Sequence, residues 1–340
     1  MTGSGDVRYN LIKTGGDQMN ILEELLHAQE PWVVYRSLID LAGLPEQDPQ
    51  VLAAKARLLE HPLVKSLVDE LQTWPGQVLN SHKSAGQLYH KLEFLADLGL
   101  KKDDADFSGL IEKLSSHRSE EGLFQLNTNI PVHFGGTGQD QMAWALCDAP
   151  LLLYAAARMN LAPEDEIARG RAFLLGLVRE NGWPCKVSKE LGNFRGPGRK
   201  EDPCPYANLI MLKLLSAFPE HQESRETRIG AECLLGLWEN SREKHPFMFF
   251  MGTDFRKLKA PFIWYDILHV AEVLTRFRFI LQDKRLHDMV SVINAKADGD
   301  GLFTAESQWK AWQDWDFGQK KKPSPWLKFC VCRINQRLKV

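Results

Sequence analysis

The sequence predicts an all-α fold, an (α/α)6 toroid of alternating inner and outer helices, and three observations carry that prediction. Apolar residues recur at helical spacing along most of the chain, and alternating β-branched runs are scarce. A junction repeats: "PCPY" at 203–206, "PFIW" at 261–264 and "PSPW" at 323–326 each set a proline and an aromatic before an apolar helical segment. Their starts are 58 and 62 residues apart. A second landmark, "EEGLF" at 120–124, "ENGWP" at 180–184 and "GDGLF" at 299–303, closes a helical stretch with glycine and a large apolar residue.

Taken in order, residues 1–16 read as a flexible N-terminus and 17–340 as one toroid domain. Inner helices are expected at 31–43, 84–99 and 139–159, then in "ANLIMLKLLSAF", "YDILHVAEVLTRF" and "WLKFCVCRINQRL", which are apolar on much of their circumference. Outer helices are expected in "VLAAKARLL" through "LVKSLVDELQ", "FSGLIEKLSSH", "IARGRAFLLGLVREN", "RIGAECLLGLWENS" and "LHDMVSVINAKAD", which are more amphipathic. Proline suits the first helical turn, where its missing N–H costs nothing. Glycine after each outer helix suits a C-cap. A helical hairpin cannot bury its face alone and must stack, and six pairs with very apolar inner helices favour closure.

Composition bounds the function. A hydrophobic fraction of 44% supports a full core, and a net charge of −2 argues against a globally basic nucleic-acid binder. A single-stranded nucleic-acid binder using the basic loops and Trp326 is weaker for the same reason. No apolar run is long enough to span a membrane, so no integral membrane segment is expected. No secretory pattern opens the chain and the six cysteines are scattered, so the expected location is cytoplasmic with reduced thiols.

Candidate chemistry gathers at the junctions. Each is preceded by cations: Arg195, Arg199 and Lys200; Arg256, Lys257 and Lys259; and Lys320 with its neighbours Lys321 and Lys322. His82 and His133 fall in the equivalent loops of earlier repeats. In register, these residues would form a cationic rim at inner-helix N-termini, suited to an anionic head group. Polar groups on helices this apolar must be satisfied or functional, which singles out Asp140, Asp148, Asp266 and His269. Asp202 and Cys204 are what the 203–206 junction has and its siblings lack. Asp202 would cap the helix and Cys204 would pack as a small buried group, or both would carry chemistry. Arg36 and Asp40, four apart on an inner helix, read as an intrahelical ion pair.

"RGRAFLLGLVRENGW" (169–183) resembles the QW repeat of squalene-hopene cyclase and its relatives, though Val178 or Arg179 stands where Gln is expected. At fold level the chain resembles the terpenoid cyclase and protein prenyltransferase toroids. The resemblance implies that Tyr35, Tyr89, Trp144, Tyr206, Trp264 and Trp326 line a central cavity, although aromatics on core helices also simply pack. It also implies zinc. Asp202-x-Cys204-x-Tyr206 is similar to the D-x-C-Y run that supplies metal ligands in prenyltransferase β subunits, with Tyr265, Asp266 or His269 near the third. The D-x-D-D acid motif of hopene-type cyclases and the DDxxD motif are both missing. The expected function is binding of an amphiphilic anionic ligand, isoprenoid- or diphosphate-like, by an apolar cavity with a cationic mouth. Transferase or lyase turnover would use Asp202, Cys204, Tyr265, Asp266 and His269; the alternative is a non-catalytic binding or scaffold protein.

Overall fold

Proline opens helix after helix in this chain. The computed structural model describes residues 16–194, 196 and 198–339, and among these residues thirteen α-helices account for nearly all regular structure. They are α1 (Gly16–Leu26), α2 (Pro31–Asp40), α3 (Pro49–Glu60), α4 (Pro62–Leu71), α5 (Leu88–Leu98), α6 (Ser108–Ser116) and α7 (Ala149–Met159). There follow α8 (Glu164–Leu175), α9 (Pro205–Leu215), α10 (Arg225–Asn240), α11 (Ile267–Leu274), α12 (Lys284–Asn294) and α13 (Pro325–Leu338). The described residues are all-α apart from a two-stranded antiparallel ribbon. None of the described helices is long and apolar enough to cross a membrane.

Two kinds of helix are distinguished by burial. Every residue of α9 and α11 is buried, whereas α8, α10 and α12 bury one face only. The buried helices pack in succession: α5 on α7, α7 on α9, α9 on α11, α11 on α13 and α13 back on α2. All but α13 also carry a one-faced partner, α3 on α2, α4 on α5, α8 on α7, α10 on α9 and α12 on α11. Between α2 and α5 stands a tryptophan-rich segment. Trp315 lies 4.5 Å from Trp32 of α2 and 5.1 Å from Phe94 of α5. Trp312 packs 5.0 Å from the same Phe94 and donates its indole N–H to Ala85 O at 2.9 Å.

The glycine landmarks share one geometry, which differs from the expected helix caps. The preceding helices end at Ser116, Leu175 and Asn294, several residues before Gly122, Gly182 and Gly301. Each glycine instead sits at positive φ in a tight turn, donating to Ser119 O, Arg179 O and Asp298 O at 2.9, 3.3 and 3.0 Å. At Gly182 a Cβ would meet Asn208 Oδ1 at 2.5 Å, so the position excludes other residues.

Other expectations need correction. The segment 139–159 is not one helix: Gln141–Ala143 is strand β2, paired with β1 (Leu126–Thr128), and α7 starts only at Ala149, with Pro150 in its first turn. The intervening Gly-rich loop forms the ribbon's tip. Pro261 does not open a helix either; α11 begins at Ile267, where Asp266 caps the His269 N–H at 3.0 Å. Gly16, assigned to a flexible terminus, is the first residue of α1, and residues 1–15 lie outside the described ones.

Candidate functional site

A cavity of about 720 Å³ opens beside the first turns of α7 and α9. Leu79, Ile130, Val187, Leu191, Phe249 and Trp264 supply apolar wall, and Cys147, Cys185 and Cys204 bring three sulfurs to it. Lys83, Arg179, Arg199 and Lys200 line it as well, against the single carboxylate of Asp202. The positive charge therefore belongs to the opening and the apolar surface to the depth. Five exposed large apolar side chains, Val132, Phe134, Phe247, Met248 and Phe250, sit on the two loops that edge it.

Cys204 is the N-cap of α9, and its backbone is pinned from both sides. Its N–H donates to Trp183 O at 2.8 Å, and its carbonyl accepts from Asn208 Nδ2 at 2.9 Å. The Asn208 side chain also holds both backbone groups of Trp183, so one amide locks the turn of Gly182 to the start of α9. Cys147 lies beside Cys204 and interacts with its thiol. That interaction, helped by the Ala207 and Tyr206 N–H groups and opposed by burial, holds the Cys204 thiol below its ordinary range. Cys147 is pushed well above. Alkylation of Cys204 by iodoacetamide is accordingly expected to reach half-maximal rate below the ordinary cysteine value of about 8.5. Cys147→Ala should move that midpoint upward; a wild-type midpoint at or above the ordinary value would remove the activated thiol.

His82 lines the same cavity, and its Nε2 donates to Asp148 Oδ2 at 2.8 Å. Its carbonyl accepts from Tyr89 OH at 3.2 Å and from His90 Nε2 at 3.0 Å, so two buried rings fix where the imidazole stands. Asp148 is itself fully buried and accepts the Ala145 N–H at 3.0 Å. An oriented imidazole and a thiolate-favouring cysteine thus share one apolar cavity, the parts that nucleophilic chemistry uses. Sequence reasoning placed His82 on a cationic rim and did not pair it with Asp148, because the two are 66 residues apart.

The remaining expected residues scatter. Tyr265, Asp266 and His269 are buried outside the cavity lining. The Tyr265 ring packs between Phe249 and Phe255; burial pushes its hydroxyl well up and leaves it without a partner. Burial pushes Asp266 up to about 7 and His269 down to about 3, so both favour the neutral form. His269 Nδ1 donates to Trp264 O at 3.0 Å. Of the six aromatics expected to line a cavity, Trp264 does. Tyr206 stacks on it at 4.1 Å, Tyr89 supports His82, Trp144 packs on Phe173, Trp326 on Phe329, and Tyr35 lies under Gly99.

The basic loops do not form one rim, because the loops take different courses. Arg199, Lys200 and His82 reach the cavity. Arg256 stacks over Trp238, Lys257 and Lys259 pair with Asp254, and Lys320 lines a separate shallow depression. His133 stands exposed on the ribbon against Phe134, and Arg195 lies outside the described residues. Zinc does not fit the residues present. Among the described residues no three His, Cys, Asp or Glu side chains group as a metal set. Asp202 Oδ2 instead accepts the Arg199 N–H at 2.9 Å.

Packed side chains lie beyond the cavity. Trp264 touches His269, which stacks on Phe262; Lys213 Nζ lies 5.6 Å over that ring and donates to Glu93 and to Asp97. Lys213 is fully buried, and both carboxylates satisfy it. It stays protonated against the Asp97 carboxylate, which it and Arg276 pull down despite burial, while burial pushes Glu93 up to about 7.

No protein-family model matches the chain, and no curated protein does. A solved structure, that of a protein from Actinoplanes, is similar to it at 13% identity, covering 95% of this chain and 99% of that one. Its TM-score of 0.40 is too low to carry a conclusion about fold or activity.

Proposed function

We propose that the chain is an (α/α)6 toroid that binds an amphiphilic anionic ligand, its apolar portion in the cavity and its head group on Lys83, Arg199 and Lys200. The cavity carries this reading: about 720 Å³ of largely apolar space with an opening whose four cations face the single lining carboxylate of Asp202. The succession α5–α7–α9–α11–α13–α2, with outer partners and the tryptophan segment between α2 and α5, supports ring closure. The exposed apolar loops at the opening suit a ligand of isoprenoid character. Displacement of an apolar dye by farnesyl diphosphate, with farnesol as the uncharged comparison, tests it. The diphosphate should bind more tightly, and Lys83→Ala with Arg199→Ala and Lys200→Ala should remove about tenfold or more of that preference. Failure of both compounds to displace the dye would refute it.

A second reading, turnover in the same cavity, is favoured by Cys204 and the Asp148-oriented His82. Cys204→Ala would then retain ligand binding and lose reaction.

A further inference from the structure

The last turns of the buried helices carry a second opening that no sequence motif announced. It is a basin of about 400 Å³ lined by six arginines, two carboxylates and the hydroxyls of Tyr154, Ser216 and Thr275. Ser216 follows α9 directly and Cys204 precedes it, so at 1.5 Å per residue the basin lies roughly 18 Å from the thiol. The packed side chains around Lys213 lie between the two openings.

The charges in the basin do not balance. Asp40 serves both Arg36 and Arg333, at 2.6 and 2.8 Å. Glu272, fully buried beneath, serves Arg276, Arg333 and Arg337 at 2.8, 3.1 and 3.0 Å. Asp97 is taken by Lys213 and by the Tyr154 hydroxyl. Arg158 and Arg278 are left with no carboxylate partner among the described residues, and the Nε groups of Arg158 and Arg333 are buried without an acceptor. A buried donor without a partner costs free energy, and an oxyanion is the group that satisfies several guanidinium forks at once. Helix C-termini attract cations, and Arg337 does donate to Glu272 O at 3.0 Å. That role accounts for Arg337. It leaves the two unpaired guanidiniums and the open volume unexplained.

We propose that this basin binds a compact oxyanion of two or more negative charges, phosphoryl or polycarboxylate, held by Arg158, Arg278 and the outward faces of Arg276 and Arg337. The site is independent of the cavity at the other end of α9. Isothermal titration of the full chain with inorganic pyrophosphate, and separately with citrate, at constant ionic strength tests it. A saturable site that persists in the Lys83→Ala/Arg199→Ala/Lys200→Ala variant is expected with at least one of the two anions, and which one binds there distinguishes phosphoryl from carboxylate; pyrophosphate binding lost in that variant belongs to the other opening. Arg158→Ala and Arg278→Ala remove no ion pair, so unliganded thermal unfolding should stay put while affinity falls about tenfold or more for each. Saturable binding of neither anion, or binding undiminished in the Arg158→Ala/Arg278→Ala double variant, would overturn the proposal.

Discussion

Replacement of Glu272 by alanine is expected to cost about 3–5 kcal/mol of unfolding free energy, the range for stranding a buried charge. The effect is large because one carboxylate of α11 answers three guanidiniums, Arg276 just past the end of α11 and Arg333 and Arg337 of α13. Burial alone would raise its pKa, yet those three arginines hold it well below the ordinary carboxylate range. A depressed folded pKa gives stability that is present above the unfolded value of about 4.3 and lost as pH falls through the folded one. Glu93, pushed up to about 7, acts in the opposite sense: its contribution declines as pH rises from about 4.3 to 7. Guanidinium denaturation across pH measures both. Glu272→Ala should be far less stable than wild type at neutral pH and should lose its part of the acid sensitivity. A loss under about 1 kcal/mol at neutral pH would show that the network is ornamental.

Trp312→Ala is expected to cost a similar amount, about 3–5 kcal/mol. The residue is 1% exposed, packs against Phe94, Trp315 and Phe317, and spends its indole N–H on Ala85 O. It belongs to the segment that occupies the space between α2 and α5, so its loss leaves a void where two helices are not in position to collapse on each other. Trp312→Phe should recover most of the packing and forgo the hydrogen bond, a deficit of about 1 kcal/mol. Equal stability of the alanine variant and wild type would mean that this segment is not part of the core.

The helices were legible because their apolar positions recur at helical spacing and proline marks their first turns at Pro31, Pro205 and Pro325. The glycine period was legible too, although the turn it encodes lies past the helix end rather than at it. At 261 the signal was local: Asp266, a capping residue type, bonds the His269 N–H and starts α11, and the proline before it does not. Elsewhere the deciding contact was remote in sequence. The equal spacing of the basic loops said nothing of their course, and only some reach the cavity. The thiol pair joins residues 147 and 204, and His82 finds Asp148, across elements that folding alone brings together. The arginine basin had a visible trace that local reasoning absorbed: Arg36 and Asp40 do bond each other, as their spacing predicts, but Arg333 joins them. Charged residues near the ends of successive inner helices, Asp97, Lys213, Arg276 and Arg337 among them, form a period of their own. Each pair looks ordinary alone, which is why the set was missed.

The packed partition of Phe262, His269 and Lys213 makes the apolar cavity a cul-de-sac. On the proposed function, a guest that enters past Lys83 and Arg199 meets that partition, so entry and exit share the cationic side of the cavity. For the proposed amphiphilic ligand this geometry favours long residence and slow exchange.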